Sequence, residues 1–407
     1  MNQRELFLRH VAQTSTAPLA LEIVKAEGCT LYDAAGKEYI DLIGGISVAN
    51  TGHRHPKVIE AIQKQLDAYL HIMVYGEFIE APQVQYAKLL TDNLPASLNS
   101  VYFTNSGSEA VEGAMKLAKR VSNRTQIIAF NNSYHGSTQG ALSIMGDEYW
   151  RNAFRPLLPD VMHLEYNSFE SLKEITQQTA CVIAETVQAE AGVKAPSKEW
   201  MQALRRKCTE TGTLLILDEI QTAFGRTGKL WGFEHFNIVP DILLLGKALG
   251  GGMPLGAFIA DKKLMYAFTG NPVLGHITTF GGHPVCCAAG MAAMKALLGG
   301  WNSVPSVDER NGVPFSMIDT VASKERLFHS LLVHPKIKAV YSFGLWIAVE
   351  FDSFETNKRI IDACIANGVL TDWFLFASNC LRISPPLIIS EEQIKKACTV
   401  IKKACDG

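Results

Sequence analysis

The sequence predicts an α/β fold in which a mostly parallel sheet is flanked by helices and joined to a smaller α+β domain. Short apolar runs alternate with helix-length segments along the middle of the chain, as is typical of strands buried in parallel sheets. These runs are Val101–Thr104, Ile127–Phe130, Cys181–Ala184, Leu214–Leu217, Ile242–Leu245 and Leu255–Ala260. Several of them end in polar residues. Because ligands of such sheets bind beyond the carboxyl ends of the strands, we expect the functional site there.

The pattern divides the 407 residues into three parts. Residues 1–50 contain turns and strands and are expected to join the small domain, while residues 51–300 are expected to form the large domain. After Trp301 the sequence becomes loop-like over residues 301–320. A strand at Gly344–Phe351 and a helix near Lys358–Asn367 then predict a small α+β domain over residues 301–407.

Composition argues against several classes of function. The 38 basic and 40 acidic residues nearly balance, so no strong field would attract nucleic acid or an anionic membrane. The first ten residues lack the apolar core of a secretory signal, and no apolar run is long enough to span a membrane. Nine scattered cysteines without CxxC spacing indicate reduced thiols in a cytoplasmic protein. No histidine and cysteine spacing predicts a metal site.

A phosphate-binding loop is indicated between the run at Val101–Thr104 and the helix-like stretch that follows. Gly107 lets the backbone approach a ligand closely, and Ser108 can cap the helix and donate from its hydroxyl. A helix N-terminus offers unpaired N–H groups and the positive end of the helix dipole, which together suit a phosphate. Taken alone, the same residues fit an ordinary helix cap.

Two charged residues end later strand-like runs. Asp218 follows Leu214–Leu217, and a carboxylate there needs a cation or hydrogen-bond donors, although a helix cap or a metal ligand also fits. Lys247 follows Ile242–Leu245, and burial there would lower the pKa of its amine, although a surface lysine also fits. A phosphate cradle, a carboxylate for a protonated ring nitrogen and an amine for an aldehyde are together what pyridoxal phosphate requires.

At this point the chain resembles the class-III aminotransferases of the fold-type-I pyridoxal-phosphate enzymes, in particular the ornithine and acetylornithine aminotransferases. The resemblance extends from about Gly28 to Pro386. Its motifs are GHRHPKV at 52–58, NSGSEAVEGAMKLA at 105–118, SYHG at 133–136, LDEIQTAFGRTGKLWGFEH at 217–235, LLLGKALGGGMPLGA at 243–257, TTFGGHP at 278–284 and LRISPP at 381–386.

The resemblance implies a role for each matching residue. Gly107 and Ser108 would bind the cofactor phosphate, and Lys247 would form the Schiff base. Tyr134 and Ile220 would pack on the two ring faces, although both also fit a plain core. Asp218 would pair with the pyridinium nitrogen, and Gln221 would reach the ring hydroxyl. Thr279 would reach the phosphate of the partner subunit, in a homodimer with shared active sites. Arg382 would bind the substrate α-carboxylate, and Glu190 would lie opposite that arginine. Arg382 also fits a surface ion pair.

Three positions depart from the family pattern. Ser137 stands where ornithine and acetylornithine enzymes carry an arginine that binds a substrate carboxylate. Ile46 replaces a substrate-contacting tyrosine of the ornithine enzymes. The usual EPIQGEGG is Glu185-Thr-Val-Gln-Ala-Glu-Ala-Gly192. These changes leave the cofactor chemistry intact but put the assignment to ornithine or acetylornithine in doubt.

The sequence therefore predicts an aminotransferase that moves an amino group from an amino acid or ω-amine to a 2-oxo acid. Two alternatives stay open. A racemase, aminomutase or decarboxylase could use the same fold and cofactor, because fold does not decide the reaction. A non-enzymatic binding protein is disfavoured by Asp218 and Lys247, since the cofactor chemistry is what requires both.

Overall fold

The computed structural model describes residues 2–299 and 316–407. The strands are β1 Ile23–Glu27, β2 Thr30–Asp33, β3 Glu38–Asp41, β4 Ser100–Thr104, β5 Gln126–Phe130, β6 Val161–Leu164, β7 Thr179–Glu185, β8 Leu214–Asp218, β9 Ile242–Leu245, β10 Gly256–Ala260, β11 Ala339–Ser342, β12 Ile347–Glu350, β13 Val369–Leu370, β14 Trp373–Phe374 and β15 Ala377–Ile383.

The helices alternate with the strands over the middle of the chain. They are α1 Gln3–His10, α2 Gly44–Ser47, α3 Pro56–Ala68, α4 Ala81–Asp92, α5 Gly107–Ser122, α6 Gln139–Ser143, α7 Glu148–Arg151, α8 Lys198–Thr211, α9 Lys262–Met265, α10 Pro284–Leu297, α11 Val321–Leu331, α12 Phe354–Ala366 and α13 Glu391–Asp406. The element α2 is a single turn in which Gly45 and Ile46 have positive φ angles.

A seven-stranded sheet forms the centre of the molecule, with the strand order β4-β10-β9-β8-β7-β5-β6. Strand β10 pairs antiparallel with both neighbours, and the other pairs are parallel. All seven residues of β7 are buried, which explains why this strand reads as a continuous apolar run. The predicted α/β fold with a mostly parallel sheet is confirmed.

Packing places the start of α5 against the sheet at the carboxyl ends of its strands. The apolar side of α5 contains seven buried residues, from Ala110 to Ala118, and packs on β9, β10 and β7. Its hydrophobic spacing is that of an amphipathic helix laid on a sheet. The helix thus begins next to the ends of β8 and β9, where Asp218 and Lys247 lie.

Two smaller sheets involve the ends of the chain. Strands β1, β2 and β3 form an antiparallel sheet that β13 extends by parallel pairing with β3. Strands β11, β12, β15 and β14 form the second sheet, on which α12 packs. Strand β3 of the N-terminal segment thus pairs with β13 of the C-terminal part of the chain.

Local predictions near the chain ends had mixed outcomes. The expected strand at Gly344–Phe351 is β12 and the expected helix near Lys358–Asn367 is α12. Residue 300, the predicted domain boundary, and residues 301–315 of the expected loop lie outside the described residues. Residues Met317–Thr320 form a 3₁₀ turn rather than a loop. Helix α1 was not expected, although Asn2 and Glu5 form its capping box.

Candidate active site

A cavity opens where β5, β7, β8 and β9 end. Its lining comprises Ser106, Gly107, Ser108, Tyr134, His135, Gly136, Glu185, Val187, Asp218, Ile220, Gln221, Thr222 and Lys247. Seven of the ten residues expected at the cofactor and substrate site therefore meet in one place. Two others are linked to the cavity by hydrogen bonds, because Gln221 donates to Glu190 and Arg382 donates to Glu190 as well. Thr279, the tenth, does not line the cavity.

The phosphate-binding loop differs in one respect from expectation. The cap of α5 is Ser106, whose hydroxyl accepts from Glu109 N at 3.2 Å, and not Ser108, which lies in the first helical turn. The side chain of Ser108 is thereby left to face the cavity. A Cβ on Gly107 would lie 2.7 Å from Ile220 Cδ1, so a larger residue at this position would displace the Ile220 side chain. The first N–H groups of α5 have no helical partner and point out of its N-terminus.

The loop after β5 brings Tyr134 and its neighbours to the same helix end. Ser108 Oγ accepts from Ser137 N at 3.3 Å, and Tyr134 Oη lies 3.2 Å from Ser137 Oγ. A Cβ on Gly136 would be only 2.0 Å from Ser108 Oγ, and the φ angle of Gly136 is +128°. Gly136 is thus required for this loop to reach α5, a role that the sequence prediction missed.

Asp218 is held in a buried hydrogen-bond network. Its Oδ2 lies 2.7 Å from His135 Nδ1, and its Oδ1 accepts from Ile220 N at 3.0 Å. His135 is buried as well, and its Nε2 has no partner. The bond from Ile220 N is a local contact of the kind that caps make, but no helix begins after Asp218, and the contact with His135 is not local. Both oxygens of the buried Asp218 carboxyl group therefore have a hydrogen-bond partner.

Glu185 is a second buried carboxyl group in the cavity. It lies opposite Asp218 in the register of β7 and β8 and accepts from Tyr134 N and Ala189 N, both within 2.9 Å. Burial, and then the charge of Asp218, raise the pKa of Glu185 well above its usual range. The direction of this shift favours the protonated form of Glu185.

Lys247 begins a 3₁₀ turn directly after β9 and has a φ angle of +47°. This left-handed conformation is uncommon for a residue other than glycine and is typical of functional positions. Burial lowers the pKa of the Lys247 amine, and the nearby carboxylates, Asp218 first, offset part of that effect. The amine lines the cavity, so the alternative of a surface lysine in a flexible loop is wrong.

Arg382 on β15 lies beside two carboxylates. Its Nη1 and Nη2 donate to the two oxygens of Glu190 at 3.1 and 2.8 Å, and its Nε donates to Asp372 Oδ1 at 2.8 Å. Gln221 Nε2 also donates to Glu190, at 3.3 Å. Burial favours the neutral forms, but the ion pair outweighs it, lowering the pKa of Glu190 and raising that of Arg382. Arg382 is buried, so a surface ion pair is excluded.

Thr279 is exposed in the loop before α10 and does not line the cavity of its own chain. Its neighbour Thr278 accepts from Asn105 Nδ2 at 3.1 Å, which ties this loop to the segment that precedes α5. Lys116 and Arg120 of α5 also hold the loop through His276 and the Ala267 carbonyl.

Four further residues of the site were missed by the sequence prediction: His135, Gly136, Glu185 and Asp372. The first two lie within the SYHG motif and Glu185 opens the altered EPIQGEGG segment, so the signal was present for these three. Asp372 belongs to no such motif. It reaches Arg382 across the hairpin of β14 and β15, and tertiary structure alone reveals that contact.

The residues present fit pyridoxal phosphate. The N-terminus of α5 suits a phosphate, the Asp218 carboxylate suits a protonated ring nitrogen, and the Lys247 amine suits an aldehyde. Gln221 Oε1 is buried without a hydrogen-bond partner, which leaves an acceptor ready for a hydroxyl group. Within the described ranges, no group of three metal-binding side chains and no helix able to span a membrane is present.

Comparisons with known proteins agree with this chemistry. The family described as class-III aminotransferases matches residues 11–405. Acetylornithine aminotransferase of Methanopyrus kandleri is 38% identical over 99% of both chains. The [LysW]-aminoadipate semialdehyde/glutamate semialdehyde transaminase of Sulfurisphaera tokodaii is 36% identical over 94% of both chains.

A similar solved structure is the ornithine aminotransferase of Toxoplasma gondii. It is 28% identical, has a TM-score of 0.88, and is matched over 100% of this chain and 95% of that one. The sequence relatives span the length of the chain from the N-terminal segment to α13. The chain therefore belongs to the class-III aminotransferases and is a pyridoxal-phosphate-dependent enzyme of fold type I.

Proposed function

We propose that this enzyme transfers the amino group of a primary amine or ω-amino compound to a 2-oxo acid, with Lys247 and Asp218 as its catalytic residues. The observation that supports this most strongly is the meeting of Lys247, Asp218 and the N-terminus of α5 in one cavity. The relatives named above are all aminotransferases, which does not favour a racemase, aminomutase or decarboxylase.

The cofactor site follows from the contacts. When bound, pyridoxal phosphate supplies an electron-accepting ring that makes removal of a proton from the substrate carbon possible. The backbone at Gly107 and the hydroxyl of Ser108 would hold its phosphate, and Asp218 would keep the proton on the ring nitrogen. Tyr134 and Ile220 would pack on the two ring faces, and Gln221 would contact the ring hydroxyl; the position of all these residues in the lining of one cavity supports the proposal.

Each side chain has a defined task in the reaction. His135 fixes the Asp218 carboxylate from the side away from Ile220, so that the charge stays aimed at the ring nitrogen. The Lys247 amine, with its pKa lowered by burial, is neutral often enough to accept the proton from the substrate carbon and return it. General base catalysis of this kind typically contributes about 10²–10⁴-fold to the rate.

The substrate range follows from the cations available. Of the described residues that line the cavity, Lys247 is the one lysine or arginine, and Ser137 occupies the position of the family's second arginine. A distal carboxylate of the donor therefore lacks a bidentate partner at this position. Amines without such a carboxylate are the donors that fit.

Arg382 and Glu190 are proposed to form a pair that opens for one class of substrate. The pair masks the guanidinium while an ω-amine reacts, because its Nη1 and Nη2 are occupied. A substrate carboxylate then competes for the same edge of the guanidinium, and Glu190 moves away. Both half-reactions can thus use a single site.

A homodimer with shared sites is the proposed assembly, and a cytoplasmic location is proposed as well. Thr279 is exposed and does not line its own cavity, and Ile79 and Phe280 expose 93% and 54% of their surface. In the proposed dimer, this surface would face the partner subunit and Thr279 would reach the partner's phosphate. All nine cysteines are free and buried, which suits a reducing compartment.

The decisive experiment is reduction of the holoenzyme with borohydride, followed by peptide mapping. The cofactor label is expected on Lys247. A label on Lys229 or Lys262 would overturn the assignment of all site residues. A second experiment adds an amine donor alone and follows the spectrum, because a shift to the pyridoxamine form without a 2-oxo acid distinguishes transamination from racemisation or decarboxylation.

A further inference from the structure

Arg382 is held on three sides, and each side has a different partner. Glu190 occupies the edge formed by Nη1 and Nη2, and Asp372 occupies Nε at 2.8 Å. Phe374 lies against the guanidinium face, with its ring centre 4.4 Å from Cζ. The carbonyl of Trp373 accepts from Nη2 at 3.0 Å. Of these partners, Glu190 alone occupies the edge that a substrate carboxylate needs.

We propose that Asp372 is a specificity-determining residue that orients Arg382 and weakens its grip on substrate carboxylates. This inference rests on the proposed function of Arg382 as the carboxylate-binding residue, and it adds a second acidic partner to that residue.

Asp372 helps to fix the orientation of the Arg382 guanidinium. When Glu190 moves away, Arg382 keeps its bonds to Asp372 and to the Trp373 carbonyl, and it keeps its contact with Phe374. The plane of the guanidinium therefore stays where it was, with Nη1 and Nη2 facing the vacated space. A bidentate contact depends on that plane, because both N–H groups must meet the two oxygens at once.

The charge of Asp372 also affects how strongly Arg382 attracts a carboxylate. One guanidinium between two carboxylates leaves the closed cluster with an excess negative charge. After Glu190 has moved, Asp372 still offsets the charge of Arg382, so an uncompensated buried guanidinium is avoided. The same negative charge repels an incoming carboxylate at short range. Asp372 thereby lowers the affinity for carboxylate substrates relative to amines.

The hairpin of β14 and β15 joins Asp372 to Arg382. Arg382 N donates to the Asp372 carbonyl at 2.9 Å, so the two residues face each other on paired segments. Thr371 Oγ1 donates to the Arg382 carbonyl at 2.6 Å. Glu190 comes from the loop after β7, although its side chain and its carbonyl accept from Leu375 N and Phe376 N of the same hairpin, both at 2.9 Å. Asp372 is thus joined to Arg382 by the backbone of one hairpin, whereas the Glu190 side chain belongs to a separate segment and must give up the Leu375 N–H group when it moves away.

The test measures binding rather than turnover. Butyrate, a carboxylate that cannot react, is titrated into the holoenzyme by calorimetry at about pH 8, and propylamine is titrated spectroscopically as the matched amine. Burial raises the pKa of Asp372 to about 6, so the group is ionised at that pH. Asp372→Asn keeps an acceptor for Nε but removes the charge, whereas Asp372→Ala removes both.

The Asp372→Asn variant is expected to bind butyrate about three- to tenfold more tightly than the wild type. Its affinity for propylamine should stay within about twofold of the wild-type value. Asp372→Ala should bind butyrate less tightly than Asp372→Asn, because the guanidinium loses its anchor. Asp241→Asn is the control. Asp241 pairs with Arg205 at 2.7 Å, and its side chain is 30% exposed, against 29% for Asp372. This variant should leave the affinities for butyrate and propylamine unchanged.

Butyrate binding that is unchanged or weaker in Asp372→Asn would overturn the proposal, as would an equal shift for both ligands. Because neither titration depends on completed turnover, a wild-type enzyme that binds butyrate but never converts an amine would refute the proposed function alone. A wild-type enzyme that transaminates but shows no charge effect at Asp372 would refute this inference alone.

Discussion

Glu185 and Asp218 lie directly opposite each other at the ends of the adjacent parallel strands β7 and β8. His135 contacts the Asp218 carboxylate at 2.7 Å, whereas the Glu185 carboxyl group accepts from the backbone N–H groups of Tyr134 and Ala189. Burial, and then the neighbouring Asp218, raise the pKa of Glu185 well above its usual range. The shift favours the neutral form of Glu185.

This shift predicts unequal effects of two isosteric substitutions. Asp218→Asn removes the charge that holds the ring proton and should lower kcat by about 10²–10³-fold. Glu185→Gln replaces a group that is already neutral, so its effect on kcat should be about tenfold or less. Steady-state kinetics of the two variants, with circular dichroism as a check on folding, would decide. Equal losses would show that Glu185 is ionised as well.

The lowered pKa of Lys247 predicts an unusual pH profile for cofactor uptake. A depressed pKa means that the neutral, nucleophilic amine is present at lower pH than for a free lysine, whose pKa is about 10.4. The rate at which the apo-protein becomes yellow with pyridoxal phosphate should rise with pH and level off at a lower pH than the reaction of a free amine does. The reaction of butylamine with the cofactor, measured in parallel, is the control. A profile that matches butylamine would show that burial has no effect on the amine.

Subunit complementation tests the role of Thr279. Loss of a hydrogen bond to a charged group costs about 1.5–3 kcal/mol, so Thr279→Ala should weaken binding of pyridoxal phosphate about tenfold or more. Lys247→Ala should be inactive. A mixed dimer of the two variants contains one complete site if Thr279 acts on the partner, and purified mixed dimers should recover about half of the wild-type activity. An active monomer, or no recovery in the mixed dimer, would contradict the shared site.

Restoring the second arginine should broaden the substrate range. Ser137→Arg places a guanidinium at the cavity entrance, where a distal carboxylate of glutamate could bind it. A charge-assisted contact of about 1.5–3 kcal/mol should raise kcat/KM for glutamate roughly tenfold or more. Ser137→Gln serves as the control for side-chain length without charge. If the wild type already uses glutamate as efficiently as the arginine variant, the proposed restriction is wrong.

The Glu190→Gln variant tests the opening of the Arg382 pair. Removing the charge of Glu190 leaves the Nη1 and Nη2 edge less firmly occupied, so kcat/KM for α-amino acids should rise relative to that for ω-amines. The ratio of the two constants is the relevant measurement, since a general loss of stability would lower both alike. An unchanged ratio would identify the pair as purely structural. Asp241→Asn again provides a control ion pair distant from the cavity.

Site residues could be predicted from the sequence where the pattern involved neighbouring residues, and not where it depended on contacts between distant segments. The strand ends at Asp218 and Lys247 and the helix start at Gly107 follow from runs of neighbouring residues, and the structure brings them together. Choosing between Ser106 and Ser108 as the cap of α5 required backbone geometry, because two serines two residues apart look alike in a sequence. Asp372 could not be found, because its contact with Arg382 depends on the pairing of β14 with β15.

The pairing of β3 with β13 also has a consequence for the order of folding. Strand β13, which extends the first sheet, is synthesised long after β3, so Ile40 cannot pair until Val369 has been made. Until then, the edge of β3 has unpaired N–H and C=O groups that can recruit a foreign strand. Contacts between distant parts of a chain form slowly, because a long loop must close first. A nascent chain stalled before β13 should therefore depend on chaperones, and a protein truncated after Asn367 should aggregate even though its central sheet is complete.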